Sequence, residues 1–252
     1  MLYLKSWYES RIRFLLSLVF LCGISSCAVF YFAFIHRHDR FQGQQSLDYA
    51  RYIWAMIFKG GNSLREIFVL IVLFLGMGGL LRERAYGSAA FSLALPISRW
   101  RFVAARGLVG ILEVVLLSIV PAVTVLALSP SIGQSLAPAQ AIRFAVLWSV
   151  CGAAFFAGAF VCSALVEGEY ASPVTALIAL TTYSLTVNVS AFEKYPLNTL
   201  NIHDVMSGEG MPWFRPEAAQ ITALPWGTLM CILAAGVSFL ALSAYVTQRQ
   251  DF

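Results

Sequence analysis

Long apolar runs separated by short polar segments dominate the chain. Six of them are close to the roughly 20 residues that a helix needs to cross a bilayer. They are Phe14–Ile35, Leu64–Leu81, Phe102–Leu128, Ile142–Val166, Pro173–Ala191 and Trp226–Val246. The pattern predicts an all-α fold, a polytopic membrane protein with six transmembrane helices. No charged tail or low-complexity linker divides the chain, so we expect one membrane domain over residues 1–252.

The composition supports several spans over a soluble domain with one anchor. The 252 residues are 59% hydrophobic and 12% charged, whereas soluble domains carry about 25% charged residues. All five cysteines lie inside apolar runs and none forms a CxxC pair, which indicates packing residues and not disulfides or zinc ligands. The net charge of +4 is modest and does not imply nucleic acid as a partner.

The polar N-terminus leaves two interpretations open. Trp7 and Tyr8 are mixed with Lys5, Arg11 and Arg13 before the first run. This mixture is typical of an N-terminal interfacial helix and also of an ordinary positively charged flank. The run that follows is longer than the apolar core of a signal peptide, and HRHDR follows it in place of a small-residue cleavage site. We therefore expect a retained first span.

Lysines and arginines near the ends of the spans indicate their orientation. With a cytoplasmic N-terminus, nine of these residues lie on the inner side and eight on the outer side, so the count alone does not decide. Three basic residues precede the first span, and five lie in the segment 82–106. This placement favours six spans with both termini in the cytoplasm.

Two longer segments are expected on the outer side. Apolar and aromatic positions in His36–Ser63 share one helical face, with Trp54 as an aromatic anchor, and Gly60-Gly61 follow. This pattern predicts a short helix on the membrane surface. Phe192–Pro225 is polar and rich in proline and glycine, which predicts an irregular cap or a partly re-entrant loop.

The hinge, residues 82–106 (RERAYGSAAFSLALPISRWRFVAAR), is rich in arginine and joins the second and third runs. Its arginines would cost several kcal/mol each at the bilayer centre, so it must lie at a membrane surface. Gly87 allows the chain to turn, and Pro96 ends a short helix that starts near Ser88. A rigid helix held between two spans would move both of them together.

The hinge resembles the signature of the ABC-2 type transporter permeases. The matching residues are Glu83, Gly87, the Leu95-Pro96-Ile97-Ser98-Arg99 segment and Arg106, with Ser88 where the family usually has threonine. The resemblance implies an ABC-2 type transmembrane domain whose hinge forms a cytoplasmic coupling helix between spans 2 and 3. The residues that it implies for contact with an ATPase are Glu83, Gly87, Leu95, Pro96, Ser98, Arg99 and Arg101. It also implies a second, smaller cytoplasmic contact at Glu167 and Glu169.

The function implied is that of a permease subunit of an ATP-driven ABC transporter of the exporter type, in the cell (inner) membrane. It would pair with a second permease subunit, identical or related, and with separate ATPase subunits that bind ATP and magnesium. The chain has no GxxxxGK[ST] segment, so ATP hydrolysis is expected from the partner and not from this chain. Membrane lipid is the other expected partner. The alternative is a non-transporting scaffold or sensor subunit that anchors a soluble protein.

Catalytic and metal-binding patterns are not found in the sequence. The three histidines all lie in the expected outer segments, away from the spans. Glu113 is the one acidic residue deep in an apolar run, where an ionisable side chain is a functional candidate because contact with lipid is costly. Pairing with Arg106 is the structural alternative, but two turns separate these residues. A position facing the transport path or a subunit interface is therefore the favoured prediction.

Overall fold

The computed structural model describes residues 2–35, 45–59, 64–77, 99–166, 171–187 and 201–249. Within these ranges the chain is mostly helical. The helices are α1 (Leu2–Ile35), α2 (Gln45–Ile53), α3 (Leu64–Gly76), α4 (Arg99–Leu128), α5 (Pro138–Leu165), α6 (Ala171–Val187), α7 (Ile202–Ser207) and α8 (Trp226–Arg249). A π-helical turn (Trp54–Phe58) follows α2, a 3-10 turn (Ser129–Ile132) follows α4, and β1 (Phe214–Arg215) pairs antiparallel with β2 (Gln220–Ile221).

Four of the helices are long and apolar enough to cross a membrane. These are α1, α4, α5 and α8, whereas α6 is a shorter apolar helix. This confirms an all-α chain with the character of a membrane protein. The described part of α3 has 13 residues, and the rest of the predicted second span lies outside the described residues. Six spans therefore stay a prediction.

Helix α5 lies at the centre of the molecule. Its most apolar window is 72% buried, against 22–39% for the other three long helices. Helices α3, α4, α6 and α8 all pack against it. Trp148 of α5 is fully buried, with ring centroids 4.7 Å from Phe68 and 5.4 Å from Phe58. The core is therefore built around α5, and the outer helices turn apolar side chains outwards.

The predicted N-terminal interfacial helix is continuous with the first span, and its position relative to a membrane surface stays a prediction. Residues 2–35 form one continuous helix, because no proline or glycine interrupts the sequence before Gly23. Lys5 and Glu9 lie one turn apart with Nζ and Oε1 3.7 Å from each other. Lys5 also lies over the Phe102 ring of α4, 5.4 Å from its centroid. The polar face of this segment thus meets α4.

The Trp54 side chain is buried in the protein and does not point outwards as the predicted anchor would. Trp54 is 9% exposed, and its indole N–H donates to the Ser207 carbonyl at 2.8 Å. Tyr49 is fully buried and shares a hydrogen bond of 2.6 Å with the Ser129 hydroxyl. The partners of these two aromatic side chains lie within the chain and are distant in sequence.

The cap, residues 45–59 and 201–221, closes one end of the helices, which we call the cap end. Gln140, near the start of α5, donates to the Ile221 carbonyl at 3.2 Å and accepts from the Ile221 N–H at 2.9 Å. Arg65, at the start of α3, is 7% exposed and donates to the His203 carbonyl at 2.9 Å. The described part of Phe192–Pro225 is therefore a folded helix and hairpin fixed to the spans.

His203 gives the cap an expected pH dependence. Within the described residues, neither ring nitrogen has a hydrogen-bond partner, and both are buried. Burial lowers the pKa of His203, and the positive charge of Arg65 lowers it further, against a smaller opposite effect of Glu66. The folded state therefore favours the neutral ring. The free energy of unfolding is expected to fall as the pH drops below about 6.5, the ordinary pKa of histidine, because the unfolded chain binds the proton more readily.

Replacing His203 by phenylalanine is expected to remove this dependence. The ring stays in contact with Phe155, whose centroid lies 5.1 Å from that of His203, and two buried polar atoms without partners are lost. Thermal unfolding of both proteins in detergent, on either side of about pH 6.5, measures the effect. Asp204, whose pKa burial raises, is common to both proteins and cancels in the comparison. An equal loss of stability in the variant at acid pH would assign the dependence to another group.

Candidate polar cluster at the hinge

Most of the predicted coupling residues lie outside the described residues. These are Glu83, Gly87, Leu95, Pro96 and Ser98, together with the second contact at Glu167 and Glu169. Arg99 is the first residue of α4, and Arg101 is exposed in its first turn. The structure therefore shows where the hinge enters α4. We call this end of the molecule, where α3 ends and α4 begins, the hinge end.

Arg106 ties the start of α4 to α1. Its guanidinium is 2.9 Å from the Glu9 carboxylate, and the exposed fractions of the two side chains are 13% and 34%. The same guanidinium lies 5.7 Å from the centroid of the Phe102 ring, one turn earlier in α4. A partly exposed ion pair stabilises by at most about 1 kcal/mol. The main structural effect of this ion pair is to fix the rotation of α4 relative to α1.

Glu113 lies deeper along the same contact and is buried inside the chain. It is 2% exposed and accepts a hydrogen bond from the Ser10 hydroxyl of α1. The Ser10 oxygen also lies 3.0 Å from the Ser6 carbonyl, one turn earlier. In the described part of the chain, Glu113 thus meets α1 and not an outer surface. Its role in a transport path or interface stays a prediction.

Arg13 extends these contacts to α3. One of its guanidinium nitrogens donates to the Phe74 carbonyl at 3.2 Å. Phe74 belongs to the last turn of the described α3, where backbone carbonyls have no partner within the helix. The contact joins the end of α3, where the chain enters the hinge, to α1.

A small cavity lies between these side chains. Its volume is about 20 Å³, and it is lined by the hinge-end cluster, which comprises Glu9, Ser10, Arg13, Arg106 and Glu113. A cavity needs about 10–15 Å³ and two to four polar partners to hold one water, so this one has room for a single water. Two carboxylates and two guanidinium groups line this cavity, and Lys5, which does not line it, also pairs with Glu9.

The N-terminal members of the cluster were not identified from the sequence. Glu9, Ser10 and Arg13, together with Ser6 beside them, recur at spacings of three and four residues, which places them on one face of a helix. That spacing was the signal that this face meets another helix. The mixture of basic and aromatic residues in this segment predicts either an interfacial helix or a positively charged flank, and neither interpretation specifies a helix partner. The partner of Ser10, Glu113, is separated from it by more than 100 residues, and no local pattern joins the two.

The cluster is a set of contacts between helices near the hinge. No three histidine, cysteine or acidic side chains within the described ranges lie close enough to hold a metal ion. The cluster joins α1, α3 and α4 within two to three turns of the hinge. Comparison with models of known protein families and with curated proteins finds no match. The hinge and the hinge-end cluster are therefore the features of this chain that bear on its function.

Proposed function

We propose that this chain is the membrane permease subunit of an ATP-driven ABC exporter. The observation that carries the proposal is the hinge, in which an acidic residue and a glycine precede Leu95-Pro96-Ile97-Ser98-Arg99 and a basic start of the next helix. In this proposal the chain has six spans, with α3 and α6 among them and both termini in the cytoplasm. The hinge forms the coupling helix between spans 2 and 3.

The hinge-end cluster supports the proposal by what it connects. Arg106 and Glu113 of α4 bind Glu9 and Ser10 of α1, and Arg13 of α1 binds the end of α3. A force on the segment between α3 and α4 would therefore act on three helices as one unit. This is the property that a subunit needs in order to convert closure of a partner ATPase into movement of its spans.

The partners follow from the same proposal. ATP and magnesium would bind to separate ATPase subunits, which dock on the hinge through Glu83, Arg99 and Arg101. A second permease subunit, identical or related, would complete the path. Glu167 and Glu169, in the short connection between α5 and α6, would form a smaller contact with the ATPase on the same side.

Cysteine labelling in sealed vesicles tests the topology and the partner together. Ser88→Cys and Ser98→Cys, in a chain whose five native cysteines are replaced by alanine, are expected to react with an impermeant maleimide only from the cytoplasmic side. Ser135→Cys is the matched control. Ser135 is exposed in the connection between α4 and α5 and is expected to react only from the opposite side. Labelling of Ser88→Cys from outside would overturn the proposal.

Nucleotide dependence separates a permease from a scaffold. In membranes that also contain the partner ATPase that this proposal requires, we expect the reactivity of Ser98→Cys to differ between ATP and ADP, because the ATPase would change the position of the hinge. A scaffold that only anchors a soluble protein would shield Ser98→Cys equally with both nucleotides. Reactivity at Ser135→Cys is expected to stay constant in either case.

A further inference from the structure

A large apolar cavity lies among α5, α6 and α8. Its volume is about 480 Å³, which is within the range of about 300–1,000 Å³ for small-molecule sites. Most of its wall is formed by α5, α6 and α8, and Leu73 of α3 and Ile202 of α7 complete it. The residues on its three main walls include Phe155, Gly158, Ala159, Ala176, Leu180 and Ala235.

The cavity is open on one side, towards apolar surface. Among its lining residues, Phe239 is 43% exposed and Cys231 is exposed as well. On the two helices that border the opening, Ile178 of α6 is 60% exposed and Val237 of α8 is 64% exposed. Because these helices are apolar and α8 is long enough to cross a membrane, we expect the opening to face hydrocarbon and not water when the chain is in a bilayer.

Small residues keep this space open. At Gly152 of α5 the neighbouring helix packs closely, since a Cβ atom there would lie 2.9 Å from the Val114 side chain. Such small residues let helices approach closely. Gly158, less than two turns later, faces the cavity, and a Cβ atom there would have no neighbour within 4 Å. The same helix therefore uses one glycine for close packing and leaves space beside the other.

The lining has no group that selects a polar ligand. It contains no charged side chain, and the Tyr183 hydroxyl already accepts a hydrogen bond of 3.1 Å from the Ile202 N–H. An empty cavity of this kind loses dispersion contacts on all of its walls. Its occupant is therefore apolar and comes from the medium at the opening.

We propose that this cavity holds one acyl chain of a bilayer phospholipid. A cavity of about 150 Å³ accommodates a benzene ring. This cavity is about three times as large, which corresponds to roughly 18 carbons. The proposal is independent of the transport function, since it depends only on the cavity and the membrane.

Photolabelling tests the proposal on the full chain. The protein is reconstituted into phosphatidylcholine vesicles in which a minor fraction of the lipid carries a diazirine in one acyl chain. After irradiation, labelled positions are located by mass spectrometry. We expect stronger labelling of residues that line the cavity, such as Phe155 and Leu180, than of the exposed face of α1 around Gly23. Equal labelling of the two regions would mean ordinary surface lipid and would overturn the proposal.

A glycine pair provides the matched control. Gly158→Leu fills the cavity, whereas Gly23→Leu adds the same side chain to an exposed position of α1, also with no atom within 4 Å of a Cβ. Gly158→Leu is expected to reduce cavity labelling to the level of the α1 face, and Gly23→Leu to leave it unchanged. Ala235→Phe fills the cavity from the opposite wall, and it replaces Gly158→Leu in this experiment if that variant does not fold. The proposal is contradicted if cavity labelling persists in a folded variant. It is also contradicted if a free fatty acid that carries a diazirine labels the cavity and the phospholipid does not.

Discussion

Gly76→Leu is expected to disrupt the packing of α3 on α5 and to lower the yield of folded protein severely. A Cβ atom at Gly76 would lie 2.8 Å from the Ala159 Cβ and 2.9 Å from the Phe156 carbonyl oxygen. Real Cβ atoms essentially never come this close, and the Phe156 oxygen belongs to the backbone of the central helix, which cannot move aside as a side chain can. Overpacking of this kind costs about 1–3 kcal/mol even when neighbours adjust, and leucine adds three carbons beyond Cβ.

Alanine substitutions give a graded measurement of the same contact. Gly76→Ala is expected to lower the melting temperature in detergent, although alanine favours a helix over glycine by about 1 kcal/mol. Gly158→Ala has the same intrinsic benefit and no steric cost, because its Cβ has no neighbour within 4 Å, so its melting temperature should rise or stay equal. If Gly76→Ala is as stable as Gly158→Ala, then α3 does not approach α5 as closely as described.

This contact matters for function because Gly76 is the last residue of α3. The chain continues from there into the hinge. Close packing of Gly76 on α5 fixes the position from which the chain continues into the hinge. Near Gly76, Arg13 donates a hydrogen bond to the Phe74 carbonyl. A looser α3 would let the hinge move without moving the central helix.

The helices were predictable from the sequence because apolar runs are local. The third, fourth and last predicted spans correspond to α4, α5 and α8, with ends that differ by a few residues. Helix α1 extends to Leu2 because the flank before Phe14 contains no residue that ends a helix. Length and hydropathy are properties of neighbouring residues, and they indicate a membrane helix whatever it packs against.

The cap and the cluster were not predictable in the same way, because their contacts join residues far apart in sequence. The pattern around Trp54 predicts a membrane anchor, because an amphipathic helix with an aromatic ring can pack against lipid or against protein. Its partner, Ser207, is 153 residues away. Glu113 was recognised as unusual from its apolar surroundings, but the pattern around it does not specify that Ser10 is the partner.

Glu113→Lys is expected to separate α1 from α4 at the hinge end. The substitution removes one of the two carboxylates that line the cluster cavity and adds a third cation beside Arg13 and Arg106. Only Glu9, which also pairs with Lys5, would remain there beside three positive charges. An uncompensated buried charge costs about 3–5 kcal/mol, which is comparable to the whole stability of many domains. Thermal unfolding and limited proteolysis of residues 2–35 in detergent would measure the loss.

Glu113→Gln is the control that separates charge from shape. The amide oxygen of glutamine still accepts the Ser10 hydroxyl, and the side chain has nearly the same volume, so the fold should persist with a small loss of stability. The double variant Glu113→Lys, Arg13→Glu restores two charges of each sign and is expected to recover part of the stability that Glu113→Lys loses. Equal destabilisation by Gln and Lys would mean that the fold depends on the carboxylate itself and not on the charge balance. If neither variant changes stability, then the contact between Glu113 and Ser10 does not hold α1 to α4, and the hinge acts on α4 alone.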